Sequence, residues 1–261
     1  MTRPQPTPLL YLRATLFWAG FSGSTIVFAC TFPFLILLDW HGRFRVLSQW
    51  TRFNVWWLKV TCGLGFEVTG TEHLAGEAKV LLCKHQSTWE TLGLQRVIPP
   101  QVWVLKRELM RIPLFGWGMS LVHPIAVDRS AGRKAISQLV RQGQDRLQRG
   151  LWVVIFPEGT RTAPGERGRY KLGGAVLAAR SGRPVIPVAH NAGLYWPKGS
   201  FIKYPGTIRM QVGPPIPTEG RRAEDIMADA EEWIESHTNA LCGIHSNTET
   251  QPGSEGHHNA P

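Results

Sequence analysis

No charged side chain occurs between Ala14 and Leu38. A helix over that run would be about 37 Å long, more than the roughly 30 Å hydrocarbon core of a bilayer. The first expectation is therefore an N-terminal membrane-embedded helical segment within residues 1–60. Arg3 and Arg13 precede the run, as in a secretory leader. The run is too long for a usual leader core, however, and Phe32-Pro33-Phe34 stands where small residues would be cleaved. Gly20, Gly23 and Pro33 offer an alternative to one span: an internal proline removes a backbone bond and could fold the run into a re-entrant or interfacial hairpin. Beyond it, Arg43, Arg45, Arg52 and Lys59 alternate with Trp50, Phe53, Trp56, Trp57 and Leu58. That mixture reads as an amphipathic surface helix with its aromatic rings at headgroup level. Its basic excess places the rest of the chain on the cytoplasmic face, that of the inner membrane in a bacterium.

After Thr61 the pattern changes to short apolar runs rich in Val and Ile, as buried strands are. Strands are expected at 66–69, 80–83, 102–105, 122–127, 151–156, 185–189 and 207–212. Helical patterns lie between several of them. One places Ile136, Leu139, Val140, Gly143 and Leu147 on one face, a second covers 171–180 with Gly182 as its stop, and a third runs over 223–241. This alternation predicts an α/β domain over 61–245, with a mixed, mainly parallel sheet covered by helices. From Ser246 the composition predicts a disordered tail, in which His257 and His258 read as incidental.

The formal net charge of +10 favours an anionic partner. Nucleic acid is the weakest candidate, because the basic residues form no long run and no recognition signature appears. Cys30, Cys62, Cys83 and Cys242 form no C-x-x-C pair, so neither a zinc site nor a dithiol is indicated. There is also no G-x-S-x-G, no Walker loop and no H-E-x-x-H.

Two segments carry chemistry. His85 follows an expected strand, and Glu90 comes five residues later. On one continuous helix they would diverge by about 140°. If Ser87 caps the helix, His85 precedes it, Glu90 lies in its first turn and the side chains can converge. A general base oriented by a carboxylate would then result. Ser87-x-x-Glu90 is equally a capping box, a purely structural role, and both readings stand at this level. The second segment is Phe156-Pro157-Glu158-Gly159-Thr160-Arg161. A strand ends at the proline, Gly159 permits close backbone approach, and Arg161 can grip a phosphate through two parallel bonds.

In this order, with Lys106-Arg107-Glu108-Leu109 leading to Pro113-Leu114-Phe115-Gly116 between them and Val185-Ile186-Pro187-Val188 with Asn191 after them, the segments resemble the glycerolphosphate acyltransferase superfamily. The resemblance covers about residues 60–215 and is strongest to the 1-acylglycerol-3-phosphate O-acyltransferase (lysophosphatidate acyltransferase) branch. It implies acyl transfer from acyl-CoA or acyl-carrier protein to the free hydroxyl of a lysophospholipid at a bilayer, giving phosphatidate, without a cofactor or metal. His85 and Glu90 would be catalytic. Lys106, Gly116, Glu158, Gly159 and Arg161 would bind the phosphorylated acceptor, with Arg129 and Arg133 as physically reasonable additions. The family's usual acid is Asp, and Glu90 departs from it by one methylene.

Three alternatives remain at this level. Another lysolipid, such as a lyso-aminolipid, could be the acceptor. Cys83, two residues before His85, could carry an acyl-enzyme. A non-catalytic module binding anionic lipids would explain the charge and the apolar run but not the ordered segments.

Overall fold

The computed structural model describes residues 5–98 and 100–244; the expected tail at 246–261, with His257 and His258, lies outside them. The N-terminal run does not form one helix. Thr7 caps α1 (Pro8–Ala29), a short α2 (Phe32–Leu35) begins around Pro33, and Asp39 caps α3 (Trp40–Cys62). No helix among the described residues is long and apolar enough to cross a membrane. The break comes at Pro33, as proline chemistry allows. Gly20 and Gly23 break nothing and lie inside α1. A Cβ on Gly20 would stand 2.1 Å from Nε1 of Trp57, so this glycine lets α3 pack against α1. Across the same interface Trp57 Nε1 donates to the Leu16 carbonyl at 3.1 Å, and the Asn54 amide to Ser24 Oγ at 3.2 Å.

Seven strands follow: β1 (Leu64–Thr69), β2 (Val80–Cys83), β3 (Gln101–Lys106), β4 (Ile125–Val127), β5 (Trp152–Ile155), β6 (Val185–His190) and β7 (Gly206–Val212). They form one sheet in the order β1-β7-β6-β2-β5-β3-β4. Every neighbouring pair is parallel except β6 and β7, which gives the mixed, mainly parallel sheet that the alternation predicts. The central β2, β5 and β6 are buried along their whole length, as strands covered on both faces must be. The intervening helices are α4 (Trp89–Val97), α5 (Phe115–Leu121), α6 (Arg133–Gln148), α7 (Gly173–Ser181), α8 (Ala192–Tyr195) and α9 (Ala223–Leu241). Gly182 ends α7 in the left-handed conformation, the stop expected from its position. One expected strand is much shorter than 122–127. Val122 still caps α5, His123 takes a positive φ of 51° and Pro124 follows, so regular pairing starts only at Ile125.

The hairpin is joined to the α/β core through Phe17, Leu58 and Cys62, which share one buried cluster with the strands. Lys203 fills that junction. It is fully buried, and its Nζ lies 3.7 Å from the Trp18 ring centroid, 4.5 Å from that of Phe17 and 4.8 Å from that of Trp196. It also donates to the Phe201 carbonyl at 2.9 Å. Burial lowers the Lys203 pKa to about 7, with Cys62 acting weakly the other way. Folding therefore releases a proton from this lysine between the folded pKa and that of a free lysine, and stability from this group rises with pH across that window. We expect the melting temperature of the wild type to rise relative to that of Lys203→Met between pH 7 and pH 10 in differential scanning calorimetry; a constant difference would refute the assignment.

Candidate active site

Parallel strands present their carboxyl ends on one side of a sheet, where ligand sites commonly form. Here β6, β2, β5 and β3 are successive neighbours. Asn191 follows β6, His85 follows β2, Phe156–Arg161 follows β5 and Lys106 ends β3. Topology alone therefore gathers four segments that are far apart in the sequence.

Helix α4 begins at Trp89, so His85 precedes it and Glu90 lies in its first turn. The N-cap is Thr88 rather than the expected Ser87, but the capping interaction of Ser87 and Glu90 still forms: Ser87 Oγ accepts from the Trp89 N–H at 3.1 Å, and Glu90 Oε1 accepts from the N–H groups of Gln86 at 2.6 Å and Ser87 at 2.7 Å. It occupies only one carboxylate oxygen. Oε2 faces Nδ1 of His85 at 3.7 Å, and both atoms are buried with no hydrogen-bond partner among the described residues. The separation exceeds a formed hydrogen bond, but catalytic contacts are often this long before substrate binds. The structural and catalytic readings of Glu90 thus fall on different oxygens of one side chain.

His190, at the end of β6, completes the carboxylate's surroundings. Its Nδ1 accepts from the Ala192 N–H at 3.2 Å, which puts the ring proton on Nε2. That nitrogen lies 2.9 Å from the Lys84 carbonyl and 3.2 Å from Glu90 Oε1. Burial by itself would raise the Glu90 pKa, but the contacts with His190 and His85 outweigh it and hold the carboxyl well below the usual range. Glu90 is thereby kept ionised. The His85 ring stacks on Phe156, with centroids 4.1 Å apart and planes at 15°, and Phe156 stacks in turn on Trp103. Nδ1 is directed inward, so Nε2 is the nitrogen left for a substrate.

Glu158 is turned into the protein. Its Oε2 accepts from the His85 N–H at 2.8 Å, and its Oε1 from Lys84 Nζ and Thr162 Oγ1, both at 2.8 Å. The Thr162 N–H returns to the His85 carbonyl at 2.8 Å. Lys84, 1% exposed, also reaches Glu235 Oε1 on α9 at 2.7 Å and the Glu166 carbonyl at 3.1 Å. Tyr170 donates to the same Glu235 oxygen at 2.8 Å; burial, then the two nearby carboxylates, push its hydroxyl pKa well up, so it stays a donor. This network locks the backbone on both sides of His85. It commits both Glu158 oxygens within the protein.

Gly159 adopts a positive φ of 69°, where a side chain would be strained. Arg161 is half-buried, and its guanidinium has no carboxylate within ion-pair distance among the described residues. Lys106 is half-exposed, 3.4 Å from Glu108, and lies two strands from His85. Gly116 is packed so closely that a Cβ would stand 2.1 Å from the Met110 carbonyl. Hydrogen bonds thus knit His85, Glu158 and the segment carrying Arg161 together, whereas Lys106, at the end of β3, and Gly116, in α5, take no part in that knot. Arg133 opens α6, exposed; the Arg129 side chain lies outside the described set. Asn191 holds β7 and α9, accepting from the Arg209 N–H at 2.8 Å and donating to the Leu241 carbonyl at 3.0 Å.

Cys83 is fully buried, and its thiol contacts the Lys84 carbonyl at 3.2 Å. Burial, with Glu90 and Glu158 nearby, raises its pKa well above that of a free thiol, the opposite of what a nucleophile needs. All four cysteines are free.

This sheet, with a histidine and carboxylate at its carboxyl edge, defines an acyltransferase domain: the family model described as Acyltransferase matches residues 65–191. Over 229 residues the chain is 44% identical to a 1-acyl-sn-glycerol-3-phosphate acyltransferase of Pseudomonas aeruginosa, covering 85% of this chain and 89% of that one. It is 32% identical to the enzyme of the same name from Saccharomyces cerevisiae, covering 85% and 74%. The fold is that of the crystal structure of the 1-acyl-sn-glycerophosphate (LPA) acyltransferase from Thermotoga maritima, with a TM-score of 0.73 over 90% of this chain and 97% of that one at 21% identity. The chain belongs to the acyltransferase family, within its 1-acylglycerol-3-phosphate O-acyltransferase branch.

Removing the buried ammonium would leave Glu158 and Glu235 uncompensated in the interior. Lys84→Met is therefore expected to destabilise the fold by about 3–5 kcal/mol in urea titration. Adding Glu235→Gln should recover part of that loss. An unchanged midpoint in Lys84→Met would show that the network is not structural.

Proposed function

We propose that this enzyme transfers a fatty acyl group from acyl-CoA or acyl-carrier protein to the free hydroxyl of 1-acyl-glycerol-3-phosphate, giving phosphatidate, with His85 as general base. The observation that carries this reading is the opposition of His85 Nδ1 and Glu90 Oε2, two buried atoms 3.7 Å apart with no hydrogen-bond partner among the described residues. His85 Nε2 takes the proton of the lipid hydroxyl as its oxygen attacks the thioester carbonyl. The tetrahedral intermediate then collapses, and the C–S electron pair leaves with the thiolate, which receives that proton. Glu90 fixes the imidazole tautomer and stabilises the imidazolium between the two transfers, the part a triad carboxylate plays. Arg161 holds the acceptor phosphate, a role supported by its half-buried position and the absence of a carboxylate partner for its guanidinium among the described residues. The buried Cys83 takes no part.

The α1–α3 hairpin keeps this chemistry at a lipid surface, with the catalytic domain on the cytoplasmic side. The support is its outward apolar face: Leu12, Leu16, Ile26, Val27 and Trp56 are all exposed, beside a strongly basic α3. An acceptor confined to the interface can then reach the sheet's carboxyl edge without leaving the membrane.

Purified protein should convert lysophosphatidate and an acyl thioester to phosphatidate, identified by mass spectrometry, in preference to glycerol 3-phosphate and lyso-aminolipids. His85→Ala and Glu90→Gln should each lower kcat by about 10²–10⁴, and Cys83→Ala should keep near-normal activity. Near-normal turnover by His85→Ala would end the general-base assignment. Lipid binding with no thiol release would favour a non-catalytic module. Because His190 acts through Glu90, His190→Ala should lower kcat about tenfold with little change in KM. An equal loss in both parameters, with a reduced melting temperature, would point to a merely structural histidine.

A further inference from the structure

A second cluster of basic residues lies where the hairpin tip meets the sheet. A cavity of about 130 Å³ is lined by Trp40, His41, His123, Arg146, Arg149 and Leu151. Leu151 immediately precedes β5, and Val122, whose carbonyl accepts from Trp40 Nε1 at 3.0 Å, precedes β4. The cavity therefore opens at the amino ends of the strands, whereas His85 lies beyond the carboxyl end of β2. It is separate from the catalytic cluster.

Its charge is unbalanced. Asp145, the nearby carboxylate, pairs with both Arg146 and Arg149, leaving two guanidiniums to one acid, with two imidazoles alongside. The His123 ring responds to that field: burial first, then Arg146, Arg43 and Arg149, lower its proton affinity, against a weaker opposite effect of Asp145. An anion in the cavity would relieve this repulsion. The His123 backbone is held at a positive φ of 51°, with its carbonyl accepting from Arg146 Nε at 3.1 Å. That conformation is uncommon for a residue other than glycine and tends to mark functional sites.

The neighbouring chain supplies the second half of the argument. Phe34, Ile36 and Leu37, just before Trp40, are 70%, 64% and 84% exposed. Arg43 donates from Nε to the carbonyls of Leu35 at 3.0 Å and Leu38 at 2.9 Å, and from Nη2 to that of Ile36 at 3.0 Å. The tip thus presents apolar side chains while three of its carbonyls, those of Leu35, Ile36 and Leu38, are satisfied from within, which eases insertion among acyl chains. An apolar tip adjoining a basic cavity matches the vertical order of a phospholipid, tails beside phosphate.

We propose that this cavity binds the phosphate of an anionic phospholipid headgroup while residues 34–38 enter the acyl layer, giving the enzyme a lipid site distinct from its acceptor site. The proposal rests on the hairpin facing the membrane. It is tested by flotation of the full chain with vesicles of phosphatidylcholine alone and of phosphatidylcholine with phosphatidylglycerol. His41→Ala/Arg149→Gln changes two exposed residues, and Arg222→Gln removes an exposed charge elsewhere. The wild type should prefer the anionic vesicles. The double variant should lose about fivefold or more of that binding, while keeping its activity on detergent-dispersed acceptor and its binding to neutral vesicles; Arg222→Gln should stay close to wild type. Equal losses in the double variant and Arg222→Gln would overturn the site but leave membrane binding standing. No binding to either vesicle would overturn the membrane reading itself. Inorganic phosphate, followed by the NMR shift of the His123 ring, separates the sources. A saturable shift without vesicle preference would mean a free-phosphate site and contradict the lipid assignment.

Discussion

One buried ammonium holds the active-site end of this fold together. Charges taken out of water must be paired or they unfold their surroundings. Lys84 meets that condition by binding Glu158, from the loop after β5, and Glu235, from the C-terminal helix α9. Because Glu158 also accepts from the His85 N–H, the position of the proposed base depends on a helix more than a hundred residues away in sequence. The arrangement explains why Glu158 belongs to the most recognisable segment of the chain although both of its oxygens are committed inside the protein.

A similar economy governs Glu90. A carboxylate has enough acceptor positions for two tasks, and here they are divided by oxygen. Oε1 gathers the N–H groups at the start of α4 and lies near His190, while Oε2 is left facing His85. Glu90 stands in the first turn of a helix while its Oε2 looks back toward a residue that precedes it. His190 braces that side chain from the neighbouring strand, which gives a physical reason for a histidine immediately before Asn191.

Much of the sheet was legible, because buried parallel strands write themselves as short Val- and Ile-rich runs; 80–83 is reproduced residue for residue. His85, Glu90 and the loop after β5 could be placed because each follows such a run. Lys84 and His190 were missed for the same reason: flanking residues of apolar runs look like ordinary strand ends. Their partners are supplied by the strand order β6-β2-β5 and by α9, which no local pattern contains. One available signal was a lysine at the end of a fully apolar strand, since such a charge needs a buried partner. Absence of charge in the N-terminal run cannot distinguish one long helix from two shorter ones; Pro33 carried the local signal for the break, whereas the Gly20–Trp57 contact that packs α3 on α1 is tertiary and has no local signature. The short β4 reflects the unusual His123 backbone in the same way.

The central claim is that Glu90 orients His85 through Oε2 so that Nε2 is free to accept a proton. Nitrogen-15 NMR of the imidazole reads this directly in the resting enzyme. The account predicts that neutral His85 carries its proton on Nδ1, facing Glu90, with a bare Nε2, and that Glu90→Gln disturbs this preference. A wild-type His85 protonated on Nε2, or a tautomer indifferent to Glu90→Gln, would contradict it.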